Sequence, residues 1–389
     1  MIIHGDALEE LKKLKDNSVD SVVTDPPYGL SKEPDIVEVL TKWINGEPYD
    51  HRHGGFMGKK WDSFVPHPDL WKEVYRVLKP GGHALVFAGT RTQDLMTIAL
   101  RLADFEVRDV IEWLYFTGFP KSYNISKAFD RKAGAKREVV GKKVTGNAKQ
   151  RNNRSGEFGS WASENTSGQQ VVDITAPATD LAKQWEGWGT ALKPAHEPII
   201  MVRKPLEVDG RKATIIDNVK EHGTGGLNID ESRVPHNEKP KYTERKSNKS
   251  TGITLNEWKR TEADKLASPN QKGRFPTNLV TLEDGLFFSK FCNITPKELS
   301  KKASKKDRNS DWKGIEIEVG ERNNIHPTVK PTDLMAWLVR LITPPNGTVL
   351  DPFAGSGSTL VAAKREGFNY IGIEITDEYI PIIEARLKD

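Results

Sequence analysis

The carboxyl-terminal stretch from Thr348 to Ile373 constrains the fold most. The apolar Thr348–Leu350 leads into Asp351-Pro352-Phe353-Ala354-Gly355-Ser356-Gly357-Ser358-Thr359. A helical pattern over Leu360–Arg365, a turn at Gly367 and the apolar Tyr370–Ile373 follow. This is strand, glycine-rich turn, helix, strand. Small residues let backbone approach a ligand closely, and a helix N-terminus offers free N–H groups. Glu374 ends the second strand 19 residues after Gly355, where an acid can accept hydrogen bonds from ribose hydroxyls. A nucleoside is indicated, though not its kind. No Gly-Lys-Ser/Thr follows, which disfavours a phosphate-cradling loop, and a plain helix-capping turn is the bland alternative.

Similar alternation continues on both sides. Pro331–Ile342 has helical spacing and stops at Pro344-Pro345-Asn346-Gly347. At the amino end, Ile2–His4 reads as a strand, and Asp6 with Glu9 starts a helix through Leu8, Leu11 and Leu14. Val19–Thr24 is a strand, Trp71–Leu78 a helix closing on a turn at Lys79-Pro80-Gly81-Gly82, and Ala84–Ala88 a strand. Leu95–Leu102 reads as a helix and Val107–Tyr115 as a strand, beside which Pro198–Val202 is expected to return. Such alternation predicts a mostly parallel α/β sheet with helices on both faces.

Val19–Thr24 ends at Asp25-Pro26-Pro27-Tyr28, at the strand end where open α/β sheets place their chemistry. Two prolines stiffen the turn and fix the Asp25 carboxylate and the nearby carbonyls. Tyr28 adds a flat aromatic face. Acceptors beside a stacking ring suit an exocyclic amino group on a planar base, although a proline-rich turn ending a strand is also common.

Composition narrows the class. One cysteine, Cys292, in 389 residues excludes an internal disulfide framework and a multi-cysteine metal site. No apolar run is long enough to span a bilayer, and the start shows no signal-peptide pattern, so a cytoplasmic protein is expected, with no membrane partner. The net charge of +4 is unevenly spread: residues 121–310 carry 36 Lys and Arg against 23 Asp and Glu, the remainder 22 against 31. A basic middle between acidic ends suggests a polyanion-binding insert or a solvated one. Gly141–Gln170 has loop composition. Trp161, Trp185, Trp188 and Trp258 suit base stacking or a small core, and the core is the expectation.

The Asp-Pro-Pro-Tyr turn, followed late in the chain by Phe353-Ala354-Gly355-Ser356-Gly357, resembles the DNA amino-methyltransferases that use S-adenosylmethionine. The catalytic motif precedes the cofactor motif, as in their permuted beta class. Gly5-Asp6, Leu78–Gly82 and His326-Pro327-Thr328-Val329-Lys330-Pro331 add to the likeness. Gly118–Ser122 and Gly189–Pro198 look like stretches of phage and prophage members. The resemblance implies a Rossmann-like methyltransferase sheet, circularly permuted, with an inserted basic target-recognition region. Residues 1–117 would be the catalytic half, 118–195 a basic, partly disordered insert, 196–205 a core strand, 206–324 the target-recognition region and 325–389 the cofactor half.

It further implies that Asp25 and the Pro26 carbonyl, held by Pro27, accept from the target amino group while Tyr28 stacks on a flipped base. Asp351, Phe353, Gly355, Gly357 and Glu374 would hold the cofactor, Asp6 its adenine amino group, and Thr328 and Lys330 its carboxylate. Asp6 is equally readable as a helix N-cap. No metal is required, and His51, His53 and His326 are not spaced as ligands. The expected partner is double-stranded DNA, contacted by basic runs such as Lys132–Arg137 and Lys301–Arg308. The chain leaves no room for a fused endonuclease, so a restriction partner would be separate; a homodimer stays open. Asp at the first motif position favours N6 of adenine. N4 of cytosine is the rival, followed by RNA or protein methylation and a non-catalytic DNA-binding role.

Overall fold

The computed structural model describes residues 1–30, 32–53, 62–115, 118, 122–145, 170–235, 272–285, 287–295 and 328–388. Trp161, Trp258, His326, the run Lys301–Arg308 and most of Gly141–Gln170 lie outside them. The chain forms two compact units, Met1–Tyr115 with His196–Asp389, and Phe116–Ala195.

The larger unit is built on one eight-stranded sheet. Across it run β1 (Ile2–His4), β12 (Asn369–Glu374), β11 (Thr348–Asp351), β2 (Val19–Thr24), β3 (Leu78–Phe87), β7 (His196–Arg203), β4 (Glu106–Leu114) and β10 (Leu279–Thr281). All neighbours pair in parallel except β7, which is antiparallel to both β3 and β4. A hairpin of β8 (Glu207–Val208) and β9 (Arg211–Lys212) follows β7.

Helices cover both faces, as parallel sheets require. Leu11 of α1 (Ala7–Leu11), Val39 of α2 (Ile36–Ile44), Trp71 and Val74 of α3 (Pro68–Val77) and Leu100 of α4 (Gln93–Leu102) form one core with Val22, Ala84 and Val202. A second core packs Leu334, Trp337 and Leu338 of α9 (Thr332–Ile342) and Ala362 of α10 (Ser358–Arg365) on Val23, Leu85 and Val349. Strand β2 is buried at all six residues because both faces are covered. Among the described residues this unit also contains α7 (Ile215–His222), α8 (Ser289–Cys292) and α11 (Ile380–Leu387).

Local sequence explains the ends. Helix α3 begins with His67 as N-cap and Pro68 in its first turn, where the missing N–H costs nothing. Helix α7 has a Thr214/Asp217 capping box and stops at Gly223 in the left-handed region.

The structure differs from expectation at Lys79–Gly82, which is the start of β3 rather than a turn. Long-range contacts hold it there. Gly81 N–H donates to Lys204 O, and Lys204 Nζ donates to Leu78 O at 2.8 Å. The pairing with β2 shifts register between Val19 and Ser21, which absorbs the irregularity.

Strand β1 pairs with β12, and Gly5 N–H donates to Glu374 O. The first strand of the chain thus lies beside the last. From β11 the chain proceeds through α10 to β12 on one side, whereas β2 connects to β3 on the other. The carboxyl ends of β11 and β2 are therefore adjacent at a topological switch point, where α/β sheets bind ligands.

The smaller unit pairs β5 (Val139–Thr145) with β6 (Gln170–Thr175) and contains α5 (Ile125–Lys132) and α6 (Asp180–Gln184). Its buried Asp130 accepts from Arg137 Nη1 at 2.7 Å, from Ala178 and Thr179 N–H, and from the Thr179 hydroxyl. Burial alone would raise this carboxyl, but the donors hold it down to about 2.

Candidate active site

Asp25 begins where β2 ends, and a web of hydrogen bonds fixes the turn it opens. Asp62 Oδ1 accepts from Tyr28 N–H at 2.8 Å and from Gly29 N–H at 3.3 Å, and the Thr92 hydroxyl donates to Tyr28 O at 2.6 Å. Gly29 has φ +64°, and a Cβ there would meet Val65 N at 2.9 Å, so the turn needs glycine.

Strand β11 ends alongside. Asp351, 2% exposed, accepts from the Thr24 hydroxyl at 2.7 Å and from Phe353 N–H at 3.1 Å, which ties the two turns together. Burial, with the nearby Asp25 charge, pushes its carboxyl up to about 6 against the opposing hydrogen bonds.

Beyond Asp351, Gly355 and Gly357 take φ +54° and +79°. Gly357 is the N-cap of α10 and supplies no side chain to its N–H groups. Glu374, 7% exposed at the end of β12, accepts from Gly355 N–H at 2.7 Å and Thr376 N–H at 2.8 Å. Arg386 braces the turn from Ser356 O at 2.6 Å. Each carboxylate oxygen keeps acceptor capacity. Left-handed glycines, an uncapped helix start and a fixed buried acid fit a nucleoside with an amino-acid tail.

The remaining expected residues are placed as follows. Asp6 is exposed and caps α1, accepting from Glu9 N–H at 3.2 Å. Thr328 is exposed, whereas Lys330 is buried. Lys330 Nζ reaches Asp25 Oδ2 at 2.5 Å, the Tyr28 hydroxyl at 3.2 Å and Glu197 Oε2 at 3.3 Å. Burial would lower the ammonium, but the two carboxylates outweigh it and the net shift is upward. The Tyr28 hydroxyl donates to Glu197 Oε2 at 3.2 Å. Burial and the Asp25 and Glu197 charges raise it well above the ordinary phenol range. Asp25 Oδ1 is buried and has no hydrogen-bond partner among the described residues.

Glu197, Tyr115, Asp62 and Thr92 were not among the site residues expected from sequence. Tyr115 also hydrogen-bonds Glu197, and burial followed by that carboxylate pushes its hydroxyl up to about 12. A carboxylate opening the otherwise apolar Pro198–Val202 run was the one available signal. Trp188, expected in a core, is 58% exposed. Cys292 is buried. Among the described residues no group of His, Cys, Asp and Glu could hold a metal ion, and no helix is long and apolar enough to cross a membrane.

A fixed carboxylate with an open acceptor, beside a glycine-rich turn at a sheet switch point, gives a Rossmann-like α/β protein with a candidate ligand site at the strand ends. The sequence model of the N6-adenine/N4-cytosine DNA methylase family matches residues 19–385, and the chain belongs to that family. It is a DNA methyltransferase, and S-adenosylmethionine is its methyl donor. It is similar to the type II methyltransferase M.HindIII of Haemophilus influenzae, 24% identical over 99% of this chain and 94% of that protein. A local likeness to the putative methylase YubD of Escherichia coli K12 is 54% identical over 65 residues, 17% of this chain and 29% of that one. Among solved structures, the cytosine-N4-specific PvuII DNA methyltransferase aligns with all of this chain and 86% of its own, at 16% identity and a TM-score of 0.46.

Proposed function

We infer that this chain is a site-specific methyltransferase acting on the exocyclic N6 amino group of adenine in double-stranded DNA. The observation that carries amino-group methylation is Asp25 Oδ1, a buried acceptor without a partner among the described residues, at the end of β2 beside the glycine turn; aspartate rather than serine at this position favours adenine over cytosine. An amino hydrogen of the target base supplies that partner. Asp25 and the Pro26 carbonyl orient the nitrogen lone pair, and Tyr28 stacks on the base. Bound S-adenosylmethionine supplies a methyl group already activated by its sulfonium. Catalysis by the protein is then mostly positioning. Because the target lies inside a duplex, the base is flipped out, at a cost of a few kcal/mol.

Gly355, Gly357 and the α10 N-terminus receive the amino-acid end of the cofactor, Glu374 the ribose, Asp6 the adenine amino group and Thr328 the carboxylate. Lys330 we assign to Asp25 instead of the cofactor carboxylate, on the 2.5 Å contact. The motif order and the β1–β12 pairing support the permuted beta arrangement. The basic 118–195 and the region 206–324 are read as target recognition. The enzyme is taken to act in the cytoplasm.

Digestion of DNA methylated in vitro, followed by nucleoside mass spectrometry, tests the reading. N6-methyladenine is the expected product. N4-methylcytosine would overturn the base assignment while leaving the site geometry in place.

A further inference from the structure

Asp25 cannot hold its open oxygen in place unaided, because a single turn leaves a carboxylate free to rotate about χ2. Its other oxygen is held by Lys330, and Lys330 is itself held. An ammonium has three donors, and among the described residues three acceptors lie within 3.3 Å: Asp25 Oδ2, the Tyr28 hydroxyl and Glu197 Oε2. Glu197 gathers the network from the other side, accepting from Tyr28 at 3.2 Å and from Tyr115. These groups come from four places in the chain: the β2 turn, the end of β4, the start of β7 and the segment before α9. The Phe87 ring lies 4.9 Å from the ammonium, and Lys330 is only 8% exposed.

The charge arithmetic gives Glu197 a purpose. Paired with Asp25 alone, a buried ammonium would draw the full negative charge of that carboxylate toward itself and weaken Oδ1 as an acceptor. A second carboxylate shares the ammonium and leaves the cluster one negative charge in excess.

We propose that Glu197 is a positioning residue for methyl transfer, holding Lys330 and Tyr28 so that Asp25 presents Oδ1 as a strong, fixed acceptor. The proposal rests on the reading of Asp25 as the acceptor for the target amino group, whichever base carries it. Glu197 contacts no reacting atom. It acts through two side chains that do the orienting.

The test is Glu197→Gln, which keeps size and removes charge, assayed by tritium transfer from labelled S-adenosylmethionine to DNA. Counting tritium irrespective of base separates this test from the adenine assignment, which nucleoside analysis reports on the same samples. We expect kcat to fall about 10²-fold, the scale of a misaligned reacting group. S-adenosylmethionine affinity, measured by titration calorimetry, should stay within about twofold of the parent. The alkaline limb of kcat should move to lower pH, because Lys330 and Tyr28 lose a charge that raises them. Tyr115→Phe, which removes one donor to Glu197 and no charge, should lower kcat severalfold without moving that limb. A Glu197→Gln enzyme with parental kcat and an unmoved limb overturns the proposal. So does a loss expressed only as weaker cofactor binding, which would place Glu197 and Lys330 at the cofactor instead.

Discussion

At the scale of single residues, the site holds two aspartates with opposite demands, Asp25 half-buried and Asp351 buried. Asp25 must stay an acceptor, and Asp25→Ala removes it while leaving the fold of the turn to Asp62 and Thr92. Methyl transfer should drop by about 10²–10³-fold or more, as when one preorganised polar group is deleted. DNA affinity in a gel-shift titration should change little, and loss of binding in parallel with activity would refute the catalytic role. Asp351 is a proton-linked residue. Its folded value of about 6 lies above the ordinary 3.8, so between these values the folded protein keeps a proton that the unfolded chain has released. Stability therefore falls as pH rises from about 4 to about 6, by at most about 3 kcal/mol. Asp351→Asn retains an oxygen acceptor for Thr24 and Phe353 and has no charge to bury. Urea titrations across this range should show the slope in the parent and its loss in the variant; an unchanged slope would exclude Asp351 as its source.

At the scale of elements, the α10 N-terminus is the most sequence-determined part of the site. Gly357 combines φ +79° with a position where a Cβ would lie 3.0 Å from Ile383 Cγ2. Gly357→Ala should cost about 1–2 kcal/mol from the left-handed backbone alone and weaken S-adenosylmethionine at least about tenfold in calorimetry. Gly223→Ala supplies the comparison, since its φ is +75° with nothing within 4 Å of the added Cβ. It should show a similar drop in melting temperature with cofactor affinity unchanged. The strands bounded by Pro and Gly, β2, β11 and β12, were legible because their punctuation is local. The start of β3 was not, because Lys79–Gly82 has turn composition and is held as strand by Lys204, Pro205 and Asn218, more than a hundred residues away. Asp6 was legible as a helix cap, and the structure shows that bond. The exposed Trp188 defeats any reading from composition, since an indole looks the same in a core or on a surface.

At the scale of the whole molecule, the unit Phe116–Ala195 leaves the sheet and returns to it at one point. Leu114 and His196 are paired across β4 and β7, so a short turn can replace the whole excursion, as insertions between close ends allow. The excised protein should unfold cooperatively and bind S-adenosylmethionine as the parent does. The removed stretch carries 13 Lys and Arg against 7 Asp and Glu. DNA affinity should therefore fall and lose part of its dependence on salt. Unchanged affinity and salt slope would show that this unit is not a DNA contact.

The two turns at the sheet's switch point, the order in which they occur and the α/β alternation that supports them can all be read along the chain. Each of these is written in neighbouring residues: prolines after an acid, glycines before a helix, apolar runs of strand length. The surroundings of Asp25 follow from the folded arrangement instead. Lys330 lies 305 positions from it in sequence, and Glu197 lies 169 from Tyr28. The contact between them depends on β7 entering antiparallel between β3 and β4, and on α9 packing across the sheet. Local patterns fix which segments become strands, but the pairing of buried charges follows from which strands become neighbours, and that is settled by burial over the whole core.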